Sequence, residues 1–343
     1  MMLLRNKSAL HFLYIAFLFA FIVIQLGVYT RLKDAGLGCP DWPTCYGRFI
    51  VPTHTLQLHH APFINQILSA EKAWPEMIHR YAAASLVLFS FAAIILIVSN
   101  DKRSEQPLKI AISLFFLLLL QGLLGKWTVT LKLHPLVVMS HLLGGFASFS
   151  VLWLLILQLN KLHINQISRS EQKLKPWAAL GLLLIILQIS LGGWTSANYA
   201  AFVCPDFPTC QGVWWPRMNF SEGFHLWMNT AINFEGGILS STARTAIQMA
   251  HRLMAILTGL YLSWIVYTLW RTSKKKFFRA LAILLGLLLA LQIGLGILNI
   301  VWLLALPIAL SHNAVAALLL LVLITLNVSL YSNQHSFDEL KQR

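Results

Sequence analysis

The chain has 343 residues, 57% of them hydrophobic and only 11% charged, with 26 Lys and Arg against 12 Asp and Glu for a net charge of +14. Soluble domains carry a charged share of about 25%, so an ordinary water-soluble enzyme is excluded. The basic excess sits beside apolar runs, which makes it a topology signal rather than the mark of a nucleic-acid binder.

Eight apolar spans are read in chain order, at 10–29, 77–98, 108–127, 136–158, 177–195, 246–270, 278–300 and 308–331. Each is near the ~20 residues that a helix needs to cross the hydrocarbon core. Spans this long and this apolar fit helices and not a barrel. The first is too long for the core of a signal peptide and no convincing small-residue cleavage site follows it, so it is expected to be retained.

Orientation follows from the connecting segments. With a cytoplasmic N-terminus, the inside segments hold Arg5 and Lys7; Lys102, Arg103 and Lys109; Lys161, Arg169, Lys173 and Lys175; Arg271, Lys274, Lys275, Lys276 and Arg279; Lys341 and Arg343. That is 16 of the 26 basic residues, on the shorter connections and tails. Both termini are therefore expected inside.

After the first span comes an outside segment with Gly38-Cys39-Pro40-Asp41-Trp42-Pro43-Thr44-Cys45. The pattern returns 165 residues later as Val203-Cys204-Pro205-Asp206-Phe207-Pro208-Thr209-Cys210, and these are all 4 cysteines. Pairs on an oxidising face that close short proline-stiffened loops predict two disulfides, Cys39–Cys45 and Cys204–Cys210. A loop staple is the plain reading; a redox-active role stays open.

The second span opens with Glu76-Met-Ile-His79-Arg80, answered 172 residues later by Gln248-Met-Ala-His251-Arg252. Gln121 and Gly125 in the third span match Gln292 and Gly296 in the seventh, and Ser140-His141 in the fourth matches Ser311-His312 in the eighth. The chain thus reads as an all-α integral membrane protein whose eight helices form two pseudo-symmetric four-helix bundles, 1–165 and 166–343. An even number of crossings per half makes the repeat parallel, with a pseudo-two-fold along the membrane normal.

Four of the 12 histidines recur at matching positions inside spans: His79, His141, His251 and His312. A single such histidine is as well explained by helix packing. Two symmetric pairs near the outer ends of parallel helices suit the axial positions of a haem iron, and predict one bis-histidine haem site per half. Arg80 and Arg252 follow the ligands directly and are candidates either for haem propionates or for snorkelling to the interface. Glu76 shares a helix face with His79. Because Gln248 cannot transfer a proton, the reaction is expected in the N-terminal half and a fixed cofactor in the other; a helix-start carboxylate favoured by the macrodipole is the alternative. His54, His59, His60 and His225 lie in outside segments, His134 has Ala305 as its counterpart, and His11, His163 and His335 flank the membrane; no site is assigned to them.

With these residues in view, the chain resembles the haem A synthase family, in its bacterial branch. The resemblance covers nearly the whole length: the two four-helix halves, Glu76-x-x-His79, the four histidines and the paired outer cysteines. It implies an oxidoreductase that converts a porphyrin methyl group of haem O to formyl, giving haem A for cytochrome oxidase assembly. It further implies that His79 and His141 hold haem O, that Glu76 is catalytic, and that His251 and His312 bind a haem b cofactor. It also implies a catalytic or haem-handling role for Cys39–Cys45 and a structural one for Cys204–Cys210. The expected location is the bacterial inner membrane, multi-pass, with the cysteine loops on the periplasmic side. Partners expected are haem O and membrane lipid, but no nucleic acid; the haem O synthase, an electron acceptor of the quinone or redox-protein class and a second copy of the chain are candidates. The rival reading is a di-haem b-type cytochrome passing electrons between quinol and an outside partner. A transporter with parallel repeats is a third, and it would need polar groups nearer the bilayer midplane.

Overall fold

The computed structural model of the protein describes residues 2–53, 68–100, 106–160, 167–230 and 232–331, with side chains described from residue 7 onward. Ten α-helices are present among them: α1 Met2–Leu32, α2 Ala70–Val98, α3 Leu108–Thr130, α4 Pro135–Leu159, α5 Arg169–Gln172, α6 Lys175–Ala197, α7 Phe220–Gly223, α8 Ser241–Thr272, α9 Lys276–Val301 and α10 Leu306–Tyr331. Eight segments are long and apolar enough to cross a membrane, α5 and α6 being taken together as one of them. Among the described residues no strand forms, and the only β pairing is two isolated bridges, Cys45 with Arg48 and Cys210 with Val213.

Helices α1 to α4 close a ring of neighbours, α1 against α2 and α4, and α3 against α2 and α4. Helices α6, α8, α9 and α10 close a second ring in the same order, and the rings meet where α4 packs on α6, α1 on α10, and α4 on α10. In lipid there is no hydrophobic drive between helices, so small residues and interhelical hydrogen bonds decide the contacts. The buried stripe Ala9, Leu13, Ala16 and Ala20 lets the other helices approach α1 closely. Between the rings, Trp153 Nε1 donates to Thr325 Oγ1 at 2.9 Å. Within the second ring, Asn327 Nδ2 donates to the Ala178 carbonyl at 3.0 Å. Helix α10 is the interior element, with 67% of its apolar window buried against 17% for α3, which faces outward.

Left-handed backbone recurs at repeat positions. Lys132 and Leu133, with φ of 47° and 61°, turn α3 into α4, and Leu303 and Leu304, at 47° and 57°, turn α9 into α10. Asp34 and Tyr199, at 48° and 54°, break the chain just after α1 and α6. Non-glycine residues avoid this region, so its reuse marks tight turns that the surrounding structure imposes.

Helix α2 starts at Ala70, ahead of the apolar span read from composition, because it takes in Glu71, Lys72, Trp74 and Pro75, which stand outside the apolar run. Glu76 is therefore beyond the first turn, and the reading of it as a helix-start carboxylate held by the macrodipole falls, since that effect fades within one turn. Likewise α8 starts at Ser241, capped by the Ser240 side chain, so that Gln248 lies well inside the helix.

Candidate functional site

Both cysteine pairs are disulfides, with Cα atoms 4.8 Å apart for Cys39–Cys45 and 4.6 Å for Cys204–Cys210. The repeated aspartate builds each loop. Asp41 accepts the Tyr46 and Gly47 N–H groups at 2.6 and 2.9 Å and the Thr44 hydroxyl. Asp206 accepts those of Gln211 and Gly212 at 2.6 and 3.0 Å and the Thr209 hydroxyl. Such side-chain to backbone bonds are what favour aspartate in turns. The Thr209 hydroxyl first, with the Gly212 and Gln211 N–H groups, holds the Asp206 carboxyl below its ordinary value. The first loop presses onto α2 at Gly38, where a Cβ would lie 2.4 Å from the Lys72 carbonyl.

That contact brings the loop to Glu76. The carboxylate is buried, accepts the Cys39 N–H at 2.9 Å and pairs with Arg80 Nη2 at 2.5 Å. Arg80 Nη1 then donates to the Asp41 and Thr44 carbonyls at 2.9 and 2.6 Å. In the second half, Arg252 donates to the Thr209, Cys204 and Asp206 carbonyls at 2.7, 3.2 and 3.0 Å. Gln248 is equally buried, yet its Oε1 has no partner among the described residues, nor has Arg252 Nε. The two halves thus share an arginine that clamps the loop, and only the first adds a buried ion pair. Sequence reasoning missed this commitment of both arginines; the repeated Asp and Thr between the cysteines were its signal.

One turn further along α2 comes His79, and across from it His141 of α4. Their rings have centroids 6.3 Å apart and planes at 83°. With metal–imidazole bonds of about 2.0 Å, two imidazoles on opposite sides of one metal have centroids roughly 6 Å apart. Every histidine of the quartet faces a glycine of a neighbouring helix. A Cβ on Gly27 of α1 would lie 3.2 Å from His79 Cε1, and on Gly125 of α3 it would lie 3.4 Å from His141 Cε1. A Cβ on Gly192 of α6 would lie 3.3 Å from His251, and on Gly296 of α9 it would lie 3.2 Å from His312. Buried ring nitrogens, Nδ1 of His79, His141 and His312, have no hydrogen-bond partner among the described residues. The facing imidazoles of His79 and His141, with their glycine-lined flanks, fit an axially ligated haem, and no cluster of three or more His, Cys, Asp or Glu suited to another metal forms among the described residues.

Polar neighbours differ between the pairs. Gln188 Nε2 lies 3.1 Å from His251 Nδ1 and donates to the His251 carbonyl at 3.2 Å, and Gln292 Nε2 lies 3.3 Å from His312 Nε2. In the first half Gln121, the counterpart of Gln292, instead fills the space over Gly144, where a Cβ would lie 1.7 Å from its amide nitrogen. Gln188 escaped the sequence reading, although a lone glutamine in an apolar span was the signal.

The segment between α6 and α8 also covers the first half. Arg31 donates to the Ser196 carbonyl at 2.6 Å and stacks over Tyr199, Lys72 pairs with Glu235 at 2.8 Å, and Phe234 N donates to the Lys132 carbonyl at 3.0 Å. His134 is buried in this contact, its ring centroid 5.0 Å from that of Phe234, and His225 is exposed. His11 bonds to its own helix through the Lys7 carbonyl. His54, His59, His60, His163 and His335 lie outside the described residues.

The COX15-CtaA family, described as cytochrome oxidase assembly protein, matches residues 10–324. A heme A synthase of Shewanella oneidensis is 46% identical over 94% of this chain and 96% of its own. Those of Beijerinckia indica and Chelativorans sp. are 28% and 26% identical over 88% and 90% of this chain, and 86% and 87% of their own. With the family matched over almost its full length, the chain belongs to the COX15-CtaA cytochrome oxidase assembly proteins.

Proposed function

We propose that the chain is a haem A synthase of a bacterial inner membrane, oxidising a methyl group of haem O to formyl. The observation that carries this is an asymmetry between two sites with matching histidines: a buried Glu76–Arg80 ion pair beside His79, against Gln248, whose Oε1 has no partner among the described residues, beside His251. Residues 1–165 form the substrate half, with His79 and His141 on the iron of haem O. Residues 166–343 form a pseudo-symmetric cofactor half, with His251 and His312 holding haem b, which supplies one-electron transfer when bound. The proposed orientation puts both termini in the cytoplasm and the cysteine loops in the periplasm, following the basic residues of the connections.

Turning CH3 into CHO with one water releases four protons and four electrons. Two histidines on the substrate iron leave it no open position, so the new oxygen comes from water, and the electrons pass to an acceptor of the quinone or redox-protein class. Glu76 is the proton acceptor, and Arg80 and the Cys39 N–H hold it as the carboxylate. Arg80 and Arg252 hold the cysteine loops over the haem edges, and Arg252 Nε, without a partner among the described residues, is a donor for a propionate. The di-haem carrier has no use for an acid in one half only. Pigment extraction from protein made with haem O present decides between them: haem A or its alcohol intermediate is expected, and b-type haem alone would overturn the proposal. Separate labelling with isotopic water and isotopic O2 tests the oxygen source, label from O2 excluding the water route.

A further inference from the structure

Directly after each disulfide loop the chain exposes two large apolar side chains. Phe49 and Ile50 in the first half and Trp214 and Trp215 at the same places 165 positions later are 70%, 67%, 72% and 68% exposed. A repeated pair left this open marks an interaction surface. The first loop runs down α2: Gly38 presses on it at Lys72, Arg80 reaches the Asp41 and Thr44 carbonyls, and the Tyr81 hydroxyl donates to the Phe49 carbonyl. From Lys72 to Tyr81 is about 13 Å along a helix, and the apolar run of α2 starts between them, at residue 77. The tip thus lies where the hydrocarbon begins. Ile78 and Tyr81 are exposed on the same helix, so the tip continues its lipid face. In the second half Arg252 grips the matching Asp206 and Thr209 carbonyls, and exposed Leu253 stands in the place of Tyr81. We propose that Phe49–Ile50 and Trp214–Trp215 are membrane anchors, seated in the bilayer leaflet on the loop side of the bundle, and that lipid is their partner. This rests on the eight spans and not on the haem assignment.

Backbone that enters lipid must satisfy its polar groups within the chain. Both turns do so. Cys45 and Arg48 exchange N–H to carbonyl bonds of 2.8 and 3.1 Å, and Cys210 and Val213 exchange bonds of 2.9 and 3.3 Å. Between them, Asp41 accepts the Tyr46 and Gly47 N–H groups and Asp206 those of Gln211 and Gly212. With these N–H groups spent, the turns suit lipid better than a protein partner that pairs by backbone. Arg48 and Arg217, both exposed, flank the tips, where long basic side chains keep their charge at the phosphate level while the apolar neighbours go deeper. A seated tip holds its loop against the helix. In the first half that keeps the Cys39 N–H on Glu76.

The test uses the full chain in vesicles of phosphatidylethanolamine and phosphatidylglycerol, with the photoreactive side chain p-benzoylphenylalanine at position 49 or 214. Irradiation should give lipid adducts by mass spectrometry, as it should from position 120, where exposed Leu120 of α3 is the reference. Adducts at 120 with none at 49 and 214, or adducts there to another protein, overturn the proposal. The hold on the loop is read separately, by amide exchange at Tyr46 and Gly47 in the same vesicles. Phe49→Ser with Ile50→Ser should speed it about 10-fold or more, because the loop then opens locally. Phe49→Leu with Ile50→Leu keeps the apolar tip and should leave exchange unchanged. Both side chains are exposed, so neither pair of changes removes a core contact. Unchanged exchange in the serine variant overturns the anchoring, and equal acceleration in the leucine variant does so too, since it would report lost shape and not lost lipid contact.

Discussion

Glu76 and Cys39 are joined by a 2.9 Å hydrogen bond from the cysteine's backbone N–H to the carboxylate, so the disulfide loop and the acid of α2 form one unit. Arg80 completes it, bound at 2.5 Å to the same carboxylate and at 2.6 Å to the Thr44 carbonyl.

Replacing the acid by its counterpart should stop the reaction without emptying the site. Glu76→Gln removes the proton acceptor but not the shape, so both haems stay bound while haem A yield falls by about 100-fold or more. Chromatography of extracted haems measures both; a normal yield would take Glu76 out of the chemistry.

Arginine removal should cost more in the first half than in the second. Arg80→Met strands a buried carboxylate, a loss of about 3–5 kcal/mol, whereas Arg252→Met strands none because Gln248 is neutral. Melting of the two variants in the same detergent compares them, and equal losses would contradict the asymmetry.

The glycines facing the histidines should be separable by half. Gly27→Leu drives a side chain into the His79 ring, 3.2 Å from a Cβ there, and should abolish only N-terminal haem binding; Gly192→Leu should do so only for the C-terminal haem. Haem-to-protein ratios and the two potentials report which site is lost.

Gly38→Ala tests the docking of the loop. Its Cβ would meet the Lys72 carbonyl at 2.4 Å, so the loop must lift and break the Cys39 to Glu76 bond, lowering activity with both haems retained. Gly122→Ala is the control, since nothing lies within 4 Å of a Cβ there.

Acid should loosen the second loop. Asp206 titrates below its ordinary value of 3.8 in the folded chain, so its contribution is complete above that value and fades as pH falls through the lowered one. Asp206→Asn should make hydrogen exchange at Gln211 and Gly212 fast at neutral pH, and remove its acid dependence.

Much of this protein was readable from one dimension. Apolar run length reports the solvent each segment meets, so the eight spans followed from composition. The quartet His79, His141, His251 and His312 followed from repeat arithmetic, because duplication preserves order. The family resemblance rested on the same motifs. Partners were another matter. The start of α2 at Ala70, the engagement of Arg80 with loop carbonyls and the amide of Gln188 beside His251 each depend on where a distant segment comes to lie. Cys39 and Glu76 are 37 positions apart and Gln188 and His251 are 63 apart, and which of many polar groups meet at such separations is set by helix packing. Hydropathy is a property of each residue alone, whereas a hydrogen bond belongs to a pair. The spans and the repeated histidines therefore stood in the chain itself, and the tertiary fold chose what each histidine and each arginine would touch.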